Sequence, residues 1–229
     1  MKILDFVQVT GSGEKAVTVP VADLVIAGWT GRDPAAMEAH MAELEAIGIA
    51  RPKTAPIFYR VSEDLLTQDD TIRVVGEDSS GEVEFFILAL ADGLWMGLGS
   101  DHTDRKVEAY NVTVSKQACA KPIAQNLWFY DEVIEHWDQL VLRSFAHETG
   151  GRTLYQEGPV TTMLPPEELI GRYSPKTGDL GANTLMFCGT LAVQGGVRPM
   201  AGFEIELEDP ILGRKISHRY AIGTLPNEG

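Results

Sequence analysis

Glu82 and Glu84 stand one residue apart in GEVEFF (81–86), where a strongly apolar run begins. In an extended strand alternate side chains share a face, so these carboxylates point the same way, with Cα atoms about 6.5–7 Å apart. Phe86 and Leu88 continue that face, and Val83, Phe85 and Ile87 fill the other. Two carboxylates in such a setting repel each other and lose hydration. They stay at a wet strand end, take up protons, or hold something positive between them. Asp101 bears on the choice, because the segment from Phe85 to Gly99 reads as an apolar hairpin that returns Asp101 to the end of the sheet where the glutamates sit. Three converging carboxylates without a cysteine nearby make a hard, oxygen-only site, suited to Mg²⁺, Mn²⁺ or Ca²⁺ rather than zinc. A divalent ion with open positions can chelate a 2-oxo acid and stabilise the enolate formed when a neighbouring bond breaks. Asp104, in the same SDHTDR stretch, reads as a solvated loop acid.

The elements that must position these acids are mostly strands. Stretches 71–77, 82–90, 94–99, 107–115, 184–193, 202–209 and 214–222 are rich in β-branched, aromatic and leucyl residues and are bounded by turn formers. DPILG between the last two reads as a turn, which makes them a terminal hairpin. A helix is expected over 33–48, with Asp33 as N-cap, Pro34 in the first helical position and Gly48 as the stop. Met37, Met41, Leu44 and Ile47 give it an apolar stripe. A second helix is expected over PPEELIGRY (165–173). The fold class that follows is α+β, mainly β, in a single domain.

Composition narrows the partners. With 19 basic and 33 acidic residues the formal net charge is −14. Such a chain repels nucleic acid and anionic membrane unless it carries a dense basic patch, and none is evident. The apolar run from Phe85 to Gly99 is interrupted by Asp92 and too short to span a bilayer. MKILDFVQVTGSGEK lacks the apolar stretch of a secretory signal, so a cytoplasmic location is the expectation. Cys119 and Cys188 make no disulfide framework, and Cys188, within LMFCGT, reads as a buried, inert thiol. Phosphate-binding glycine motifs and the G-x-S-x-G nucleophile elbow are absent from the sequence.

GEVEFF, SDHTDR, VSKQAC, LYQEGPVTTMLPPEELIGRYS, NTLMFCGTLAV and FEIELEDPILGRKISHRY, in that order, resemble the fumarylacetoacetate hydrolase superfamily over about 25–220, the fourth matching a segment with a Gln, a polar turn, a Met and a helix. The resemblance implies a mixed, rolled β-sheet of that family's C-terminal-domain type. It also implies a Mg²⁺ or Mn²⁺ site made by Glu82, Glu84 and Asp101, and a small anionic oxo-acid substrate. Arg105 matches the family's arginine and Lys116 its lysine, and Gly189 and Thr190 match the Gly-Thr pair that helps position substrate. Leu191 stands where the family has proline, and the stretch between Glu84 and Asp101 is shorter than usual. A homodimer is the assembly the resemblance carries. Within the single domain, about 22–58 would form a lid segment and about 59–222 the metal-binding β core.

His40 and Glu43 lie three apart on the 33–48 helix and are neighbours on its surface. Smaller members of the superfamily carry a similar pair on a lid helix, which implies that Glu43 orients His40 and His40 takes a proton from water. A neutral imidazole suits that role, though the same histidine could simply border the apolar stripe. His102 is expected to point away from Asp101, and His136, His147 and His218 read as surface or structural. The expected activity is C–C bond hydrolysis of an acylpyruvate-like substrate. A decarboxylase, hydratase or isomerase with the same metal site, or a binding module without chemistry, is the alternative.

Overall fold

Apolar side chains on both faces of 83–90 demand a place inside a sheet, and every residue from Val83 to Ala89 is buried. The computed structural model describes residues 1–46, 52 and 54–228, without the side chains at 39, 40, 43, 44 and 46. From the N-terminus come β1 (Lys2–Thr10), β2 (Gly13–Val21), β3 (Asp23–Gly28), helix α1 (Pro34–Ala46), β4 (Ile57–Val61), β5 (Leu66–Thr67) and β6 (Thr71–Val75). Then follow β7 (Ser79–Ser80), β8 (Val83–Leu90), β9 (Gly93–Ser100), β10 (Thr103–Asp104), α2 (Arg105–Glu108), α3 (Val112–Ala118), β11 (Lys121–Pro122), β12 (Asn126–Phe129) and α4 (Tyr130–Val133). The chain closes with β13 (Val141–Glu148), β14 (Gly151–Pro159), α5 (Pro166–Tyr173), β15 (Thr184–Thr190), β16 (Gly202–Asp209) and β17 (Arg214–Leu225).

Eight strands make a mixed sheet in the order β2-β1-β12-β9-β8-β15-β3-β4, and five make a second in the order β14-β13-β16-β17-β6. Phe86 and Leu88 pack on one side of the larger sheet with Leu24, Ile26, Leu127 and Phe187. Val83, Phe85 and Ile87 face the other way and meet Leu142, Phe203 and Ile205 of the smaller sheet. The division of β8 between two cores is the one its alternation implies. Gly97 makes the close packing possible, since a Cβ there would lie 2.1 Å from the Phe86 ring.

The 94–99 and terminal-hairpin expectations hold. β8 pairs antiparallel with β9 from Val83↔Ser100 to Leu90↔Gly93, and β16 with β17 down to Asp209↔Arg214. Helix α1 starts as expected: Asp33 Oδ1 accepts from the Ala35 N–H at 2.8 Å and the Ala36 N–H at 3.3 Å. Its expected stop at Gly48 lies outside the described residues. Helix α5 occupies Pro166–Tyr173.

The strand expected over 107–115 does not form; the chain there is helical, in α2 and α3. Val107, Val112 and Val114 favour a strand, but capping overrides that preference. Asp104 Oδ1 accepts from Val107 N–H at 2.9 Å and Asn111 Oδ1 from Val114 N–H at 3.1 Å, satisfying the donors a helix start leaves open. Asp104 is thus a helix cap and not a free loop acid. Among the described residues no helix is long and apolar enough to cross a membrane.

Candidate metal centre

The β8–β9 hairpin places the acids. Glu84 is opposite Gly99 and Val83 opposite Ser100, and one step on the Asp101 N–H donates to the Glu82 carbonyl at 3.0 Å. Carboxylate oxygens of Glu82, Glu84 and Asp101 consequently lie within 4.8 Å of one another. Glu84 and Asp101 are buried, while Glu82 is partly open to solvent. Burial, followed by repulsion from Asp101, pushes the Glu84 carboxyl well above the usual range.

Three cations answer these acids. Lys116, on α3, donates to Asp101 Oδ2 and stands 3.9 Å from Glu82 Oε2. Lys121, on β11 and fully buried, lies 2.8 Å from Asp101 Oδ1 and donates to the His102 carbonyl at 2.5 Å. Arg105 donates to Glu82 Oε1 at 3.0 Å, Glu108 Oε2 at 2.9 Å and Ser80 Oγ at 2.7 Å. Burial opposes charge on Asp101, yet the two ammonium groups outweigh it and hold the carboxyl below its ordinary range. Burial likewise opposes the charge of Lys116, and Asp101, Glu82 and Glu84 restore it. Each Asp101 oxygen thus has an ammonium of its own, Lys116 at Oδ2 and Lys121 at Oδ1. Three carboxylates drawn together, two of them buried, form the oxygen-only donor set that a hard divalent cation takes. The donor set fits such an ion.

The far side of Glu84 is held by backbone. Gly189 N–H donates to Glu84 Oε2 at 2.7 Å, with φ at +103°. A Cβ at Gly189 would fall 1.8 Å from Thr30 Oγ1, so glycine is required there by conformation and by space. Thr190 Oγ1 donates to the Val83 carbonyl at 2.7 Å and accepts from Gln156 Nε2 at 2.9 Å. Gln156 also accepts from Val83 N–H at 3.0 Å and Ser144 Oγ at 2.8 Å and donates to the Leu191 carbonyl at 2.7 Å. This buried carboxamide ties the glutamate strand to β13 and β15.

Comparison with known proteins fits this architecture. A family model described as "Protein of unknown function (DUF2848)" matches residues 27–220. The chain belongs to the DUF2848 family. No curated protein matches it by sequence. Among solved structures, the DUF2848 chain is similar to Cg1458 with inhibitor at TM-score 0.67 and 16% identity, covering 93% of this chain and 81% of that one. It is similar to yeast ynq8, a fumarylacetoacetate hydrolase family protein, at TM-score 0.62 and 16% identity over 91% and 96% of the two chains. It also resembles a 2-keto-3-deoxy-D-arabinonate dehydratase complexed with magnesium and 2,5-dioxopentanoate, at TM-score 0.60 and 15% identity over 90% and 74%. The fold of this DUF2848 protein is thus the one these fumarylacetoacetate hydrolase-like proteins share.

Most of the residues singled out in the DUF2848 sequence meet in space. Glu82, Glu84, Asp101, Arg105 and Lys116 form one charge cluster, and Gly189 and Thr190 adjoin it through Glu84 and Val83. Thr190 commits its hydroxyl proton to the Val83 carbonyl. Lys116 arrives from a helix and not from a strand-rich segment. The backbone of α1 carries His40 and Glu43, but both side chains lie outside the described residues. His102 is turned into the fold between Ser79 Oγ at 2.9 Å and Tyr220 Oη at 3.0 Å, and burial pushes its pKa down to about 3. His136 and His147 pair with Asp209 and Glu204 at 3.0 Å each, as structural groups do. Lys121 carries no local signal for its place in the site, because long-range pairing of β11 with β5 brings it in, whereas Gln156 lies in the LYQEG stretch that the resemblance covers. Burial raises the Cys188 thiol well above its usual pKa, in keeping with an inert group.

Proposed function

We propose that this protein is a divalent-metal-dependent enzyme acting beside the carbonyl of a small oxo-carboxylic acid, by C–C bond hydrolysis of an acylpyruvate-like substrate. The observation that carries this reading is the meeting of three carboxylates within 4.8 Å, two of them buried. Glu82, Glu84 and Asp101 would hold Mg²⁺ or Mn²⁺, and Ca²⁺ suits the same donors. When bound, the ion supplies a Lewis acid for the oxo group of the substrate. Arg105 keeps one buried guanidinium nitrogen, Nη2, without a partner among the described residues, and that nitrogen and Lys116 would receive the substrate carboxylate. Gly189 and Thr190 would frame it through the backbone they fix around Glu84. His40, oriented by Glu43 on α1, would take the proton of the attacking water.

Support comes from the neighbours of the same fold, one complexed with magnesium and 2,5-dioxopentanoate and another named as a fumarylacetoacetate hydrolase family protein. The dehydratase keeps a second reading in view, loss of water or of a carboxyl group at the same site, and product analysis separates the two. A homodimer is part of the proposal, carried by the resemblance.

The test is turnover of acylpyruvates and oxaloacetate in EDTA and in Mg²⁺ or Mn²⁺, beside melts with and without oxalate. Metal-dependent product release is expected, with His40→Gln lowering turnover about 10²-fold or more at an unchanged melting temperature. Metal at ~100 times its dissociation constant adds about 2.7 kcal/mol, hence roughly 5–10 °C for a domain of this size. No shift with either ion, with or without oxalate, would overturn the reading.

A further inference from the structure

The two lysines that meet Asp101 do not occupy equivalent places. Lys116 donates to Oδ2, stands 3.9 Å from Glu82 and feels the charge of Glu84, so its ammonium lies among all three acids. A divalent cation bound by the same acids takes that place, and Lys116 must withdraw. Lys121 is on the other oxygen. It makes no ion pair with Glu82 or Glu84 among the described residues, and its second partner is the carbonyl of His102, next along the chain from Asp101.

Lys121 is also fixed. Its strand pairs in parallel with β5, Lys121↔Leu66 and Pro122↔Thr67. The following residues bind Thr67 O through Ile123 N–H and Leu98 O through Ala124 N–H, both at 2.8 Å. The side chain is fully buried, and a lysine has no reason to be there without an acid to meet.

We propose that Lys121 is the positioning residue of this metal centre. Resting on the metal reading above, it holds the Asp101 carboxylate oriented from behind after Lys116 gives way, aimed at Glu82 and Glu84. By gripping both the carboxylate and the next backbone carbonyl, it fixes the turn out of β9 as a rigid arm. Without it, Asp101 keeps its backbone bond to the Glu82 carbonyl, but its carboxylate enters the ligand set with a free χ angle. Groups that hold a metal-ligating carboxylate from outside typically contribute 10–100-fold to metal affinity.

The experiment is Mn²⁺ affinity, read by electron paramagnetic resonance of the free ion, for the full chain and for Lys121→Met, Asp101→Asn and the double variant. Melts in EDTA accompany each. Lys121→Met is expected to weaken Mn²⁺ binding at least 10-fold, while in the Asp101→Asn background it changes affinity less than about 2-fold, because Lys121 acts only through Asp101. Should Lys121→Met fail to fold, Lys121→Gln keeps a donor for the His102 carbonyl without the charge and is held to the same criterion. Binding by the lysine variant as tight as, or tighter than, that of the parent chain would overturn the proposal and make Lys121 a competitor of the metal. Equal losses in both backgrounds would overturn it as well. Failure of the parent chain itself to bind Mn²⁺ would remove the metal centre, and the role of Lys121 with it.

Discussion

Asp101 and Asp209 are both fully buried carboxylates paired with cations, and they have opposite meanings. Asp209 closes the β16–β17 turn. Its Oδ1 accepts from Ile211 N–H at 3.1 Å and Leu212 N–H at 3.0 Å and faces His136 Nε2 at 3.0 Å, and its Oδ2 accepts from Arg214 Nε at 3.2 Å. Burial opposes its charge, but the Leu212 amide and His136 prevail and keep the carboxyl below its usual range. Among the described residues Asp209 belongs to no group of three or more potential metal ligands. Asp101 is met by two ammonium groups, one at each oxygen, and stands beside two glutamates that it repels. Burial of a lone acid therefore marks structure, and convergence of three acids, two of them buried, marks a site.

Substitutions can break this contrast. Asp209→Ala strips four donors of their acceptor and leaves Arg214 half satisfied, so the protein should lose about 3–5 kcal/mol. In a melt that is a fall of roughly 6–20 °C, with the metal-induced increment kept. Glu84→Gln should do the reverse, abolishing the ~2.7 kcal/mol increment and raising the melting temperature in EDTA at pH 8. The sign follows from the raised pKa of Glu84. A group whose folded pKa exceeds its unfolded value contributes stability that is full below about pH 4.5 and lost as pH rises through the folded value. Lower stability of the glutamine form in EDTA would show that Glu84 is held as a structural acid.

A smaller effect sharpens the picture of what lies behind Asp101. His102, with its pKa pushed down from 6.5 to about 3, is neutral in the fold. Its contribution to stability is complete above pH 6.5 and is lost as pH falls, about 2 kcal/mol of it between pH 6.5 and 5. Thermal melts across that interval should show the slope in the parent chain and a flatter one in His102→Gln.

The site was legible where its geometry is local. The hairpin that unites Glu82, Glu84 and Asp101 is written in alternation and one turn, and the resemblance brought Arg105 and Lys116 into the same cluster. Where several signals compete, propensity misled: the valines of 107–115 read as strand, and two short side-chain caps make helices of them. β1 was also open to reading, since Leu4, Phe6 and Gln8 alternate as buried residues along it, but a polar residue in the buried set weakens the pattern. Lys121 could not be placed from sequence, because a lone lysine in AKP is ordinary until β11 has found its neighbour.

β8 and β9 lie fifth and fourth from the β2 edge in a sheet of eight strands, with cores above and below. In the language of hydrogen exchange, their amides open only with the whole molecule, while strands at the edges fray on their own. The carboxylates at the end of that hairpin consequently share the lifetime of the fold. They wait for a ligand already assembled, and nothing short of global unfolding scatters them.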